Sequence, residues 1–151
     1  MGMACKVLIV EDEIAEATLL KRAFRRHRPD MEIDIVDDGG DALASLLPTV
    51  ADEGNQRPRP NFVVLDLKLR RMDGHEVLRR LKDELACRDI PTIVFSSSSD
   101  PDDVSRAYDL GANSYIVKPV RSADLDRIAS LMTSYWCEAN CSGDSNGALR
   151  R

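Results

Sequence analysis

Residues 61–66 read NFVVLD, four consecutive apolar side chains that end on a carboxylate, Asp66. An unbroken apolar run this short reads as a strand buried on both faces, as in a parallel sheet. Asp66 then stands as a charge at the edge of a core, a position that calls for a partner. The same layout recurs on either side. Residues 6–10 (KVLIV) end on Glu11, Asp12 and Glu13, residues 92–96 (TIVFS) end on Ser96, and residues 114–117 precede Lys118 and Pro119. Residues 32–36 alternate Ile33 and Ile35 with Glu32 and Asp34, which reads as a strand with one less-buried face, nearer the sheet edge.

Amphipathic stretches separate these runs. Residues 14–26 place Ile14, Ala17, Leu20 and Phe24 on one face at helical spacing, and Pro29 cannot continue the helix. Residues 41–47 form a short helix with Ala42, Leu43, Leu46 and Leu47 inward; residues 75–85 form another with Val77, Leu78, Leu81 and Leu85 inward. The helix over 102–110 begins at Asp100 and Pro101, a cap followed by proline at the first position, and stops at Gly111. The last helix covers 122–136, with Leu125, Ile128, Leu131 or Met132, and Tyr135 inward. Strands alternating with helices predict one α/β domain around a doubly wound, five-stranded parallel sheet. That domain is expected over residues 1–136, followed by a flexible C-terminal tail over 137–151. Residues 48–60, with three prolines and a glycine, read as a mobile loop.

Composition narrows the function. The chain has 151 residues, enough for one domain and hardly enough for two. Its net charge of −5 argues against a nucleic-acid binder driven by counterion release. No apolar run is long enough to span a bilayer and residues 1–6 lack a secretory layout, so no membrane association and a cytoplasmic address are expected. The basic run Lys21, Arg22, Arg25, Arg26 and Arg28 reads as a solvated helix face. Cys5, Cys87, Cys137 and Cys141 have no histidine at zinc-ligand spacing and read as free thiols in a reducing compartment; His27 and His75 are expected at the surface.

In a doubly wound sheet the ligand crevice lies beyond the carboxyl ends of the strands. If strands one, three, four and five are neighbours, Glu11, Asp12, Asp66, Ser96 and Lys118 converge there. About three negative charges in a small volume are costly unless a cation neutralises them. Oxygen ligands from a few carboxylates suit Mg²⁺, which keeps several waters and accepts a phosphate oxygen. Asp66 is then a nucleophile able to form an aspartyl phosphate, with Lys118 stabilising the transferring charge and Ser96 donating a hydrogen bond to it. Alone, residues 11–13 fit helix N-terminal capping. Together with the other crevice groups they point to a site.

The motifs VLIVEDE, VVLDLKLRRMDG, IPTIVFSSSS and GANSYIVKPV, in this order, resemble the response-regulator receiver family of two-component signalling. The resemblance covers roughly residues 6–135 and implies the flavodoxin-like (βα)5 fold with strand order 2-1-3-4-5. It implies Asp66 as phosphoacceptor, and Glu11, Asp12, Asp66 and the backbone carbonyl of Lys68 as Mg²⁺ ligands. It also implies Ser96 as the switch hydroxyl, Tyr115 as the aromatic that follows it, and Lys118 as the phosphate partner, with a cis Lys118–Pro119 bond. Arg70 stands where the family's turn usually has proline, and Lys68 and Ser98 occupy positions that tune the phosphoryl lifetime. The long 48–60 loop and the serine run resemble regulators that partner phytochrome histidine kinases.

The function so implied is a single-domain switch phosphorylated by a histidine kinase, not an enzyme with an external substrate, although phosphorylation and dephosphorylation would be self-catalysed. Its output would be onward transfer or an interaction face, with a homodimer through the last helix and strand. An aspartyl-phosphate hydrolase would need an acid at position 68, where the chain has lysine. A phosphate-independent receiver-like interaction module is the remaining alternative.

Overall fold

The computed structural model describes residues 4–47, 59–143 and 149–150. Strands β1 (Lys6–Val10), β2 (Glu32–Val36), β3 (Phe62–Leu65), β4 (Thr92–Ser96) and β5 (Ser114–Val117) form a parallel sheet ordered β2-β1-β3-β4-β5. Helices α1 (Ile14–His27), α2 (Gly39–Leu46), α3 (Gly74–Asp83), α4 (Pro101–Asp109) and α5 (Ser122–Thr133) make the crossovers that parallel pairing requires. This is the expected architecture and strand order.

Strands β3 and β4 are buried along their whole length, whereas the edge strands β2 and β5 are mostly part-exposed. Side chains alternate between faces, so each central strand feeds two cores. Val7, Ile9, Phe62 and Val64 pack with Ala17, Leu20 and Phe24 of α1 and Met132 of α5. Leu8, Val10, Val63 and Leu65 pack with Leu43 of α2 and Val77, Leu78 and Leu81 of α3. Phe24 and Phe62 meet edge to face at 5.9 Å between ring centroids, the arrangement favoured by their quadrupoles.

Aspartates start three helices. Asp38 accepts from Asp41 N–H at 2.8 Å, Asp73 from His75 N–H at 3.3 Å, and Asp100 from Asp102 N–H at 3.0 Å. Each satisfies an otherwise unpaired backbone donor. Asp100 followed by Pro101 behaves as expected.

Several inward expectations are corrected. Ile14 is 80% exposed because the first turn of α1 precedes its buried residues, Ala17, Leu20, Ala23 and Phe24. Leu85 is 75% exposed because α3 ends at Asp83 and its face periodicity ends with it. Met132, not Leu131, is buried. The chain continues from α5 into a π-helical turn, Ser134–Ala139, whose wider winding turns Cys137 inward and leaves Tyr135 53% exposed. His75 is buried rather than superficial, because the start of α3 packs against α4; its Nε2 lies 3.3 Å from the Asp103 carbonyl oxygen.

The cysteine reading is also corrected. Cys5 and Cys137 form a disulfide with Cα atoms 5.5 Å apart, across 132 residues of sequence. Only the packing of the last helical turn beside β1 brings them together. Cys87 is a buried thiol and Cys141 an exposed one. Lys118–Pro119 is trans, as are the other peptide bonds of the described residues; the trans form is the lower-energy isomer even before proline. The expected loop over 48–60 lies outside the described residues up to position 58. Of the expected tail, residues 137–139 belong to the π-helical turn, and Ser142–Gly143 pairs antiparallel with Leu149–Arg150.

Candidate functional site

The sheet ladder itself assembles the site, because it runs one residue past each strand. Glu11 N–H donates to the Val36 carbonyl at 3.0 Å, Asp66 N–H to the Val10 carbonyl at 3.0 Å, and Lys118 N–H to the Ser96 carbonyl at 2.7 Å. Backbone pairing therefore holds Glu11, Asp66 and Lys118 at one end of the sheet before any side chain interacts. Gly74 lets α3 begin against this end: a β-carbon there would lie only 2.5 Å from the Asp66 carbonyl oxygen.

Lys118 is the hub. Its Nζ donates to Glu11 Oε1 at 2.6 Å, to Glu16 Oε2 at 2.6 Å and to Asp66 Oδ2 at 3.2 Å. Asp66 Oδ1 accepts from Lys68 N–H at 3.3 Å, and Asp12 Oδ2 accepts from Arg70 N–H at 3.0 Å. The Arg70 guanidinium lies 3.6 Å from both Asp12 and Glu13. A cleft of about 360 Å³ opens over these groups, lined among others by Asp12, Asp66, Lys68 and Lys118.

Burial sets the electrostatics. It pushes the Glu11 carboxyl up to about 9, reinforced by hydrogen bonding with Glu16 and Asp66 and only partly opposed by Lys118. Glu16 is shifted the other way, below the usual carboxylate range, first by hydrogen bonding with Glu11 and then with Lys118. Burial pulls Lys118 down, but its bonds to Glu11 and Glu16 and the charge on Asp66 outweigh this and raise it. Lys118 therefore stays an ammonium.

Glu11 Oε2 is buried without a hydrogen-bond partner. Oxygen atoms of Glu11, Asp12 and Asp66 all lie within 4.8 Å of one another. A buried unpartnered carboxylate oxygen beside two further carboxylates fits a hard divalent cation, which satisfies the lone pairs and offsets the repulsion.

Ser96 is fully buried, and its Oγ accepts from Ser98 N–H at 3.2 Å. Tyr115 Oη donates to the Ser98 carbonyl at 2.8 Å. Ser98 Oγ donates to Asp103 at 2.6 Å, so Ser98 joins the β4 terminus to β5 and α4. The structure thus gathers Asp12, Asp66 and Lys118 around one cleft, with Glu11 buried beside it on Lys118, and with Ser96 and Tyr115 linked through Ser98. Sequence reasoning missed Glu16. Its only signal is its place in the first turn of the helix that follows the acidic strand end.

A family model, the response regulator receiver domain, matches residues 7–130. The chain belongs to this family. It is 41% identical over 130 residues to a probable methanogenesis regulatory protein, FilR2, of Methanothrix harundinacea, covering 86% of this chain and 82% of that one. It is 35% identical over 132 residues to the response regulator Rcp1 of Synechocystis sp., covering 87% and 88%. Among solved structures, the phosphorylated cyanobacterial phytochrome response regulator RcpA superposes with a TM-score of 0.82 at 30% identity, covering 99% of this chain and 100% of that chain. The Mn²⁺-bound form of Rcp1 superposes with a TM-score of 0.80 at 33% identity, covering 91% and 98%. As a response-regulator receiver domain, the chain is a phosphoryl-accepting module of two-component signalling, a family that works with histidine kinases and a divalent metal.

Proposed function

We propose that Asp66 is the phosphoacceptor of a signalling switch that receives its phosphoryl group from a histidine kinase, with Mg²⁺ as the metal. The observation that carries this reading is the single ammonium of Lys118 lying 3.2 Å from Asp66 at the end of a fully buried strand. An Asp66 carboxylate oxygen attacks phosphorus, a new O–P bond forms, and the N–P bond to the donor imidazole breaks. Mg²⁺, when bound, offsets the negative charge of the transferring group. Glu11, Asp12, Asp66 and the backbone carbonyl of Lys68 are the groups that would hold it. Lys118 is the protein's own cation for the phosphoryl oxygens, and Ser96 the hydroxyl that reaches them. Hydrolysis of the product by water is the chain's self-catalysed return step.

The phosphoryl group carries about −1.5 to −2 charges, and Asp66 gives up its own carboxylate charge in forming the aspartyl phosphate. The site therefore becomes about one charge more negative and gains strong acceptor oxygens. Ser96 is drawn toward these oxygens, and with it Ser98, through which Tyr115 and α4 are attached. The output face is therefore α4, β5 and α5. Exposed Val117 of β5 and Leu131 of α5 supply apolar contact area there for a homodimer. Similarity to RcpA and Rcp1 supports a phytochrome-class kinase as donor. Among the described residues no helix is long and apolar enough to cross a membrane.

The test is intact mass after acetyl phosphate and Mg²⁺, beside Asp66→Asn. A phosphoryl-sized gain in the wild type alone is expected. Labelling of the variant at another residue would refute the assignment. Absence of both labelling and beryllofluoride binding in the wild type would favour a phosphate-independent interaction module.

A further inference from the structure

Lys118 has three ammonium protons, and three carboxylate oxygens take them: Glu11 Oε1 at 2.6 Å, Glu16 Oε2 at 2.6 Å and Asp66 Oδ2 at 3.2 Å. The donor set is full. A phosphoryl oxygen arriving on Asp66 can bond to this ammonium only if one carboxylate gives way.

The three are not equally placed to leave. Glu11 is 5% exposed, and losing the ammonium would leave both oxygens of its buried carboxyl group without a partner, since Oε2 already has none. Asp66 is 6% exposed and is itself the group that becomes phosphorylated. The Glu16 side chain is 51% exposed, so water replaces the ammonium as its partner at small cost. Its bond to Lys118 is nevertheless short and charge-assisted, strong enough to hold the ammonium while no phosphoryl group is present.

We propose that Glu16 is the displaceable partner of Lys118, a positioning residue that occupies one ammonium proton in the resting protein and yields it to the incoming phosphoryl oxygen. This rests on Asp66 being the phosphoacceptor. It gives the first turn of α1 a part in the switch: the Glu16–Lys118 bond ties α1 to the end of β5, and phosphorylation unties it. A ligand that engages Glu16 from outside would free Lys118 in the same way.

The test is the affinity of beryllofluoride, with saturating Mg²⁺, read by fluorine NMR on the full chain. Wild type, Glu16→Ala, Glu16→Gln, Glu13→Gln and Asp66→Asn are compared, each with a thermal unfolding curve. Glu16→Ala is expected to bind about two- to fivefold tighter than wild type, in line with the modest strength of a part-exposed ion pair. Glu16→Gln, which keeps an acceptor oxygen and loses the charge, is expected between the two. Glu13→Gln removes the same charge from a residue paired with Arg70 instead, and is expected to match wild type. Unchanged or weaker binding by the folded Glu16 variants overturns the proposal, as does equal tightening by Glu13→Gln, which would reduce the effect to net charge. A purely structural staple would lower the melting temperature without any gain in affinity. Failure of the wild type to bind, or binding by Asp66→Asn equal to wild type, would instead sink the phosphoacceptor reading and this inference with it.

Discussion

The Tyr115 hydroxyl donates to the Ser98 carbonyl at 2.8 Å, and Ser98 in turn uses its N–H on Ser96 and its own hydroxyl on Asp103. One serine thus gathers the Ser96 hydroxyl, the β5 aromatic and the start of α4. Tyr115→Phe keeps the ring and removes only this bond. It is expected to lower stability by about 1 kcal/mol, a fall of roughly 2–4 °C in melting temperature for a domain of this size. Mass labelling at Asp66 should survive, whereas amide exchange in residues 97–103 should quicken. Unaltered exchange there would show that Tyr115 does not restrain the loop.

Gly74 sits where a β-carbon would meet backbone atoms of Leu67 and the carbonyl of Asp66. Backbone cannot swing aside as a side-chain tip can, so Gly74→Ala has to push α3 and the end of β3 apart. A loss of about 1–3 kcal/mol in denaturant unfolding is expected, together with weaker beryllofluoride binding because Asp66 moves with the strand end. Wild-type values for both would mean that the close approach is not kept in solution.

Magnesium should stabilise the fold, since it relieves the crowding of Glu11, Asp12 and Asp66 and satisfies the stranded Glu11 oxygen. At about a hundred times its dissociation constant, a ligand of the native state adds about 2.7 kcal/mol. A rise in melting temperature with Mg²⁺, reversed by EDTA and much reduced in Asp12→Asn, is the expected result. Asp12→Asn responding to Mg²⁺ as fully as wild type would remove Asp12 from the ligand set.

The Cys5–Cys137 bond closes a loop spanning a sequence separation of 132, which on the chain-entropy model contributes on the order of 4–5 kcal/mol. Thiol titration of the native, unreduced protein should therefore find one fast group, the exposed Cys141. Cys87 should react slowly, being buried and shifted upward in pKa, chiefly by that burial. Denaturation without reductant should yield two thiols, and with reductant four. Four thiols without reductant would show the pair open, as a glutathione-buffered compartment favours.

Much of this molecule was legible in its sequence because the signals are local. The apolar run at Phe62–Leu65 has no polar side chain to show to water, so β3 could only be central. The Asp100 and Pro101 pair specifies a helix start through its own backbone chemistry. Glu11, Asp12, Asp66, Ser96 and Lys118 each stand at or just beyond a strand's carboxyl end, and parallel pairing sends all such ends the same way. Order along the chain, together with the strand order that the family resemblance implied, was enough to predict their convergence.

What tertiary structure alone decided has no local signal. Glu16 reaches Lys118 across 102 positions because α1 packs beside α5, an outcome of how two apolar faces meet, which no window around either residue contains. Cys5 and Cys137 pair for the same reason, and they overturned a reading based on spacing. His75 is buried because α4 covers the start of α3, while Ile14 and Leu85 are exposed because helical periodicity names a face and not how far the neighbouring layer extends. Sequence determined the kind of sheet and which residues end its strands. Only the packed chain decided which carboxylate shares the lysine, because that depends on distances of a few ångströms between segments the backbone does not connect.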